Sequence, residues 1–207
     1  AALVAAFFLH HPSLASAQVT GDLISSVPLA RRIAATGNTP FESLDAQRTG
    51  IDFVHHWGPS QRTASEINNG LVGGGVSIGD YDGDGRPDVF LTRPTGGPRL
   101  FRNLGNFRFE DVTDKAQIGM DPFWATGSSF VDIDNDNDLD LYVCSMASEN
   151  RLYVNQGDGT FQESARSFGL AYRGASVMMA FADIDADGDM DGYLLTNFYH
   201  LKYRLNG

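Results

Sequence analysis

The feature that most constrains this chain is a nine-residue acidic pattern that occurs three times in fixed phase. It reads Asp80-Tyr81-Asp82-Gly83-Asp84-Gly85-Arg86-Pro87-Asp88, then Asp132-Ile133-Asp134-Asn135-Asp136-Asn137-Asp138-Leu139-Asp140, then Asp183-Ile184-Asp185-Ala186-Asp187-Gly188-Asp189-Met190-Asp191. Carboxylates fall at positions 1, 3, 5 and 9 of every copy. The three loops hold 14 of the chain's 26 acidic residues. So many like charges in so short a stretch repel one another unless a cation lies among them. Calcium is the natural guest, because it takes roughly 6–8 oxygen ligands in a flexible shell. A single Asp-rich turn is often no more than a solvated loop; three copies in one phase favour metal. Position 6 requires a sharp turn, often with positive φ. Gly85 and Gly188 meet that requirement, and Asn137 is the next-best residue for it.

The loops are not EF-hands, which close with a glutamate at about position 12 and lie between two helices. Position 12 here is Leu91, Val143 and Leu194. The flanks are short and apolar, as in Val76-Ser77-Ile78, Val89-Phe90-Leu91 and Leu141-Tyr142-Val143. Each unit therefore reads as strand, metal loop, strand.

The phase extends beyond the loops. Loop starts at 80, 132 and 183 are offset by 52 and 51 residues. Gly75 matches Gly127, Leu100-Phe101-Arg102-Asn103 matches Leu152-Tyr153-Val154-Asn155, and Phe109-Glu110-Asp111 matches Phe161-Gln162-Glu163. At the same spacing Asn155 matches Asn206. For the first unit this predicts four strands, near 75–79, 88–92, 99–103 and 107–112. Turns at 94–98 and 104–106 separate the later ones, and Gln156-Gly157-Asp158-Gly159 marks a hairpin in the second unit. A four-stranded repeat of this length is the size of a propeller blade. Radial stacking covers both faces of each blade, so the apolar run 175–182 fits an inner strand. Propellers close with about 4–8 blades, and the third unit stops short of its last strand. The sequence is thus expected to be part of a longer chain, with blade faces left open at its ends.

The chain has 207 residues, a formal net charge of −11 and 42% hydrophobic residues, a globular composition. Three bound calcium ions would bring the charge to −5. The acidity argues against a nucleic-acid partner, which requires a basic face. The lone cysteine, Cys144, excludes an internal disulfide and lies in an apolar run, as a buried structural thiol does. Ile51 to Trp57 alternates as a strand would. In the sequence, no further His or Cys is spaced from His55 and His56 as a zinc site requires. Gly73-Gly74-Gly75 lacks the phosphate-loop frame and reads as close backbone packing at a strand start.

Residues 1–9 are apolar, and Ala15-Ser16-Ala17 follows. This is the pattern of an export signal, too short to span a bilayer, with cleavage expected after Ala17. The expected organisation is an export signal over 1–17, a leader segment over 18–50 and blades over 51–207. A short helix is expected over 23–35, and 61–69 reads as a loop.

These loops, with Gly74-Gly75-Val76-Ser77-Ile78-Gly79 before the first, Leu100 to Asn106, Phe109 to Thr113 and Thr49 to Phe53, resemble the FG-GAP/VCBS repeat superfamily. That superfamily includes the calcium-loop blades of integrin α-chain propellers. The nearest likeness is to secreted bacterial proteins of the cartilage-acidic-protein (ASPIC/UnbV) type. The resemblance implies an all-β fold, a partial β-propeller of about three four-stranded blades with DxDxDGxxD loops. It also implies about three Ca2+, export to an extracellular or periplasmic location, and binding or adhesion. The metal ligands it implies are Asp80, Asp82, Asp84 and Asp88; Asp132, Asp134, Asp136 and Asp140; Asp183, Asp185, Asp187 and Asp191. Arg86, Asp138 and Asp189 at position 7 would contribute carbonyl oxygens. The second loop departs from the pattern at Asn137.

Two functions compete at this stage. The favoured one is a non-enzymatic, calcium-stabilised module that binds an extracellular protein or glycan. The other is the propeller portion of a secreted polysaccharide-active enzyme whose catalytic part lies outside this chain. Glycoside hydrolysis requires two facing carboxyl groups. Nothing in the sequence pairs any two of Glu42, Glu66, Glu110, Glu149 and Glu163.

Overall fold

The computed structural model describes residues 42–55, 73–119 and 123–197. The chain divides into two compact units, Ala1–Asp45 and Ala46–Gly207. Among the described residues the second holds one short helix, α1 (Ala46–Thr49), and ten strands. The expected signal (1–17), the helix expected over 23–35 and the loop over 61–69 lie outside the described residues.

The first blade is a four-stranded antiparallel sheet in sequential order. Its strands are β1 (Val76–Gly79), β2 (Asp88–Leu91), β3 (Arg99–Asn103) and β4 (Phe109–Asp111). The second blade repeats it with β5 (Trp124–Val131), β6 (Asp140–Glu149), β7 (Arg151–Asn155) and β8 (Phe161–Glu163). The third begins with the antiparallel pair β9 (Arg173–Ala182) and β10 (Asp191–Thr196). The expected all-β partial propeller is therefore what forms. Each Asp loop joins the first two strands of its blade.

Two local expectations differ from what forms. Residues 51–55 have no regular structure, although they alternate. Phe53 instead sets its ring edge-on to Phe101, with centroids 6.5 Å apart, and Arg93 lies over it. Packing on the first blade, not strand pairing, holds this stretch. The second difference is in β6. Pro94 follows the end of β2 and has no N–H for a ladder. The second repeat has Met146 at that place, and β6 runs on to Glu149. Its far end pairs with β9 at Met146↔Ala175 and Glu149↔Arg173, which joins blades two and three into one six-stranded sheet.

The core lies between blades. Leu141 and Val143 face a cluster that includes Tyr81, Phe90, Leu100, Tyr153 and Phe161. Tyr142 and Cys144 face the other way, into a cluster with Leu152 and Met179, flanked by Phe181 and Leu194. All four consecutive β6 residues are at most 1% exposed. Strand alternation sends neighbouring side chains to opposite faces. A run with no polar member is stable only where both faces are covered.

The inner strands approach one another closely. A Cβ on Gly75 would fall 2.7 Å from the Thr126 carbonyl oxygen, and one on Gly127 would fall 2.3 Å from that of Val177. Hydroxyl rungs cross the same seams. Thr92 donates to the Thr126 carbonyl, Thr126 to the Ser176 carbonyl at 2.8 Å and Ser129 to the Met179 carbonyl at 2.6 Å. Ser77 and Ser128 share a hydrogen bond. These rungs satisfy buried polar groups where the sheets meet.

Candidate metal centres

The three Asp loops fold alike, and backbone N–H groups build them from within. The position-1 carboxylate accepts from the N–H groups of positions 5 and 6. Asp80 takes Asp84 N at 3.1 Å and Gly85 N at 2.8 Å. Asp132 takes Asp136 N and Asn137 N, both at 3.1 Å. Asp183 takes Asp187 N at 3.1 Å and Gly188 N at 3.2 Å. The position-5 carboxylate then accepts from position 7 at 3.0 Å in every loop. Short Asp side chains serve here because they reach their own backbone two to five residues on.

Position 6 has positive φ as expected, at 82° for Gly85, 73° for Asn137 and 96° for Gly188. Position 4 also does, which the sequence reading missed. Gly83 has φ 68°, Asn135 60° and Ala186 61°. Glycine and asparagine at position 4 of two loops were the available signal, and Ala186 obscured it.

Position 9 is a latch as well as a candidate ligand. Asp88 accepts Tyr81 N at 3.1 Å and Asn103 N at 2.7 Å, one on each oxygen. Asp140 accepts Ile133 N at 2.9 Å and Asn155 N at 2.8 Å. Each therefore ties the loop to the third strand of its blade. Both are fully buried, and burial pushes their carboxyl groups up to about 6, against the lowering effect of the N–H bonds. Asp191 makes the first of these two bonds, to Ile184 N at 2.9 Å. Asn206, the sequence counterpart of Asn155, lies outside the described residues.

Carboxylate oxygens converge in every loop. Oxygens of Asp80, Asp82 and Asp88 lie within 4.8 Å of one another, as do those of Asp132, Asp134 and Asp136, and those of Asp183, Asp185 and Asp191. Burial, then Asp136 and Asp132, raises the Asp134 carboxyl above its usual range. Crowded hard carboxylate oxygens, half-buried or buried in the first loop, mostly exposed in the second and exposed in the third, fit a hard divalent cation.

The position-7 side chains diverge. Arg86 turns back onto Asp84 and donates Nε to the Asn103 carbonyl at 2.8 Å. Asp138 and Asp158 line a cleft of about 550 Å³ between the first two blades, with Asp80, Asp82 and Arg102. Burial, then Asp136, pushes the Asp138 carboxyl up to about 6. Asp189 is exposed.

Residues weighed for other chemistry are taken up elsewhere. Glu110 pairs with Lys115, and Glu149 with Arg166 at 3.0 Å. Glu163 accepts Ala165 N at 3.1 Å within a turn. Glu66 lies outside the described residues. Cys144 is buried, and burial pushes its thiol up to about 12, which suits a structural side chain. No helix among the described residues is long and apolar enough to cross a membrane.

Comparison with known proteins agrees with this geometry. The family model for the FG-GAP-like repeat matches residues 80–143 and 132–194. Cartilage acidic protein 1 of Mus musculus is 27% identical over 130 residues, 58% of this chain and 20% of that protein. The Homo sapiens protein of the same name is 27% identical over 130 residues, 58% of this chain and 19% of its own length. The chain thus spans about a fifth of the length of these curated relatives. Matched loop to loop across its three Asp loops, the chain belongs to the FG-GAP-like repeat family.

Proposed function

We propose that this chain is a calcium-stabilised β-propeller module that acts, without catalysis of its own, in binding or adhesion outside the cytoplasm. One observation carries the calcium reading. Three loops in one phase converge carboxylate oxygens within 4.8 Å and use their own N–H groups to hold them there. Asp80, Asp82, Asp84 and Asp88 would hold the first ion. Asp132, Asp134, Asp136 and Asp140 would hold the second, and Asp183, Asp185, Asp187 and Asp191 the third. Carbonyl groups of Arg86, Asp138 and Asp189 complete the donor sets. When bound, calcium supplies positive charge that cancels carboxylate repulsion in each loop.

The chain's own part is structural. The loops set the turn between the first two strands of each blade, and in the first two blades the position-9 latch fixes that turn to the third strand. With the loops held, Tyr81 packs against Phe161 of the next blade at a centroid distance of 5.7 Å. Loop order is thereby coupled to blade packing. The partner is proposed to be an extracellular protein or a glycan, and the location extracellular or periplasmic. The FG-GAP-like match and the likeness to cartilage acidic protein 1 support that reading.

Thermal melting with and without calcium tests the proposal. A ligand that binds only the folded state raises the melting temperature with its concentration. A rise with calcium that EDTA reverses supports structural calcium, and a melt indifferent to both refutes it.

A further inference from the structure

The first two Asp loops share every backbone hydrogen bond described above, and they differ in side-chain charge. The second carries five carboxylates, and no lysine or arginine ion pair reaches it among the described residues. The first carries four and has two guanidinium groups on them. Arg102 Nε lies 2.6 Å from Asp82 Oδ2, and its terminal nitrogen lies 3.2 Å from Asp84 Oδ2. Arg86 pairs with the same Asp84 oxygen.

Both cations are particular to the first repeat. The counterpart of Arg86 is Asp138, and that of Arg102 is Val154. In the second loop the position-5 carboxylate, Asp136, converges with positions 1 and 3. Its first-loop equivalent, Asp84, is held by Arg86 and Arg102 instead.

We infer that Arg102 acts as a built-in counter-cation that sets the calcium affinity of the first loop below that of the second. This rests on the calcium reading above and makes the sites unequal. A divalent ion entering the first loop meets carboxylates already neutralised in part. It must displace Arg102 from Asp82 or bind against its charge. The second loop offers uncompensated anions, and ligand charge is what tunes such sites over decades of affinity. With Arg102 in place, the first blade is less dependent on metal for its loop geometry. The second loop would then fill before the first as calcium rises.

Calorimetric titration of the EDTA-stripped full chain with calcium chloride tests this. Asp82→Asn and Asp134→Asn identify the first- and second-loop steps by their loss. The first-loop step is expected to be weaker by on the order of tenfold. Arg102→Gln is expected to close that gap. Arg99→Gln removes the same charge from the same strand, away from the loop, and is expected to leave the gap intact. Equal affinities at the two loops, or a gap that survives Arg102→Gln, would overturn the inference and leave the calcium reading standing. Absence of calcium uptake at both loops would overturn both.

Discussion

Asn155 donates from Nδ2 to the Tyr81 carbonyl at 2.8 Å, and so ties the third strand of the second blade to the Asp loop of the first. The same nitrogen reaches the Leu139 carbonyl of its own loop at 3.2 Å. Its oxygen accepts Gly157 N at 3.1 Å. Among the described residues the side chain of Asn103, the matching residue of the first blade, bonds within its own blade, to the Pro87 carbonyl and Gly105 N. One residue thus reads two loops at once, and the seam between blades depends on both.

Replacing it separates blade folding from blade stacking. Asn155→Ala strips a buried group whose partners are left unsatisfied, which costs about 2–3 kcal/mol. Asn103→Ala is partly exposed and is expected to cost about 1 kcal/mol. Urea unfolding of the two variants under equal calcium checks the difference.

The close inner strands give a second prediction. Gly127→Ala places a Cβ against the Val177 carbonyl, where backbone must shift. Overpacking of this kind costs about 1–3 kcal/mol. Gly73, which has nothing within 4 Å of an added Cβ, accepts alanine with little change. Thermal melts of Gly127→Ala and Gly73→Ala compare the two sites directly.

Ala186 gives a prediction of the opposite sign. A left-handed conformation strains any residue with a Cβ, by roughly 1–2 kcal/mol. Ala186→Gly is therefore expected to stabilise the third loop, and Gly83→Ala to destabilise the first, each by about 1 kcal/mol. Amide exchange in β9 and β10 for the former, and in β1 and β2 for the latter, resolves these local effects.

Most of the fold was legible in the sequence because its determinants are local. Asp spacing, repeat phase and turn glycines each act over a few residues. The all-β blades and the inner strand at β9 followed from them, as did close backbone packing in Gly73-Gly74-Gly75, which holds at Gly74 and Gly75 but not at Gly73. What escaped depends on distant contacts. Ile51–His55 alternates like a strand but meets Phe101 and Arg93 rather than a free edge. The extension of β6 required knowing that β9 waits beside it. Arg102 lies 18 residues after Asp84, and only the turn between β2 and β3 brings it onto the loop. The second role of Asp88 and Asp140 as latches was hidden because their N–H donors at Asn103 and Asn155 are 15 residues away.

Stability without metal should fall as pH rises. Burial raises the folded-state carboxyl groups of Asp88 and Asp140 from 3.8 to about 6. Between those values the folded chain holds more protons than the unfolded chain. Stability is then lost through the window from about pH 4 to 6, by at most about 1.4 kcal/mol per pH unit for each group. Saturating calcium favours the ionised carboxylates and is expected to flatten or reverse the slope. Urea unfolding at pH 5 and pH 7, in EDTA and in calcium, reads the sign.

The ions themselves are the most direct test. Crystals grown in calcium and measured at long wavelength give an anomalous difference map that locates them. The expected result is a peak in each Asp loop, with Asp oxygens at about 2.3–2.6 Å. A map without peaks in the loops, at saturating calcium, would contradict metal as the reason these carboxylates converge.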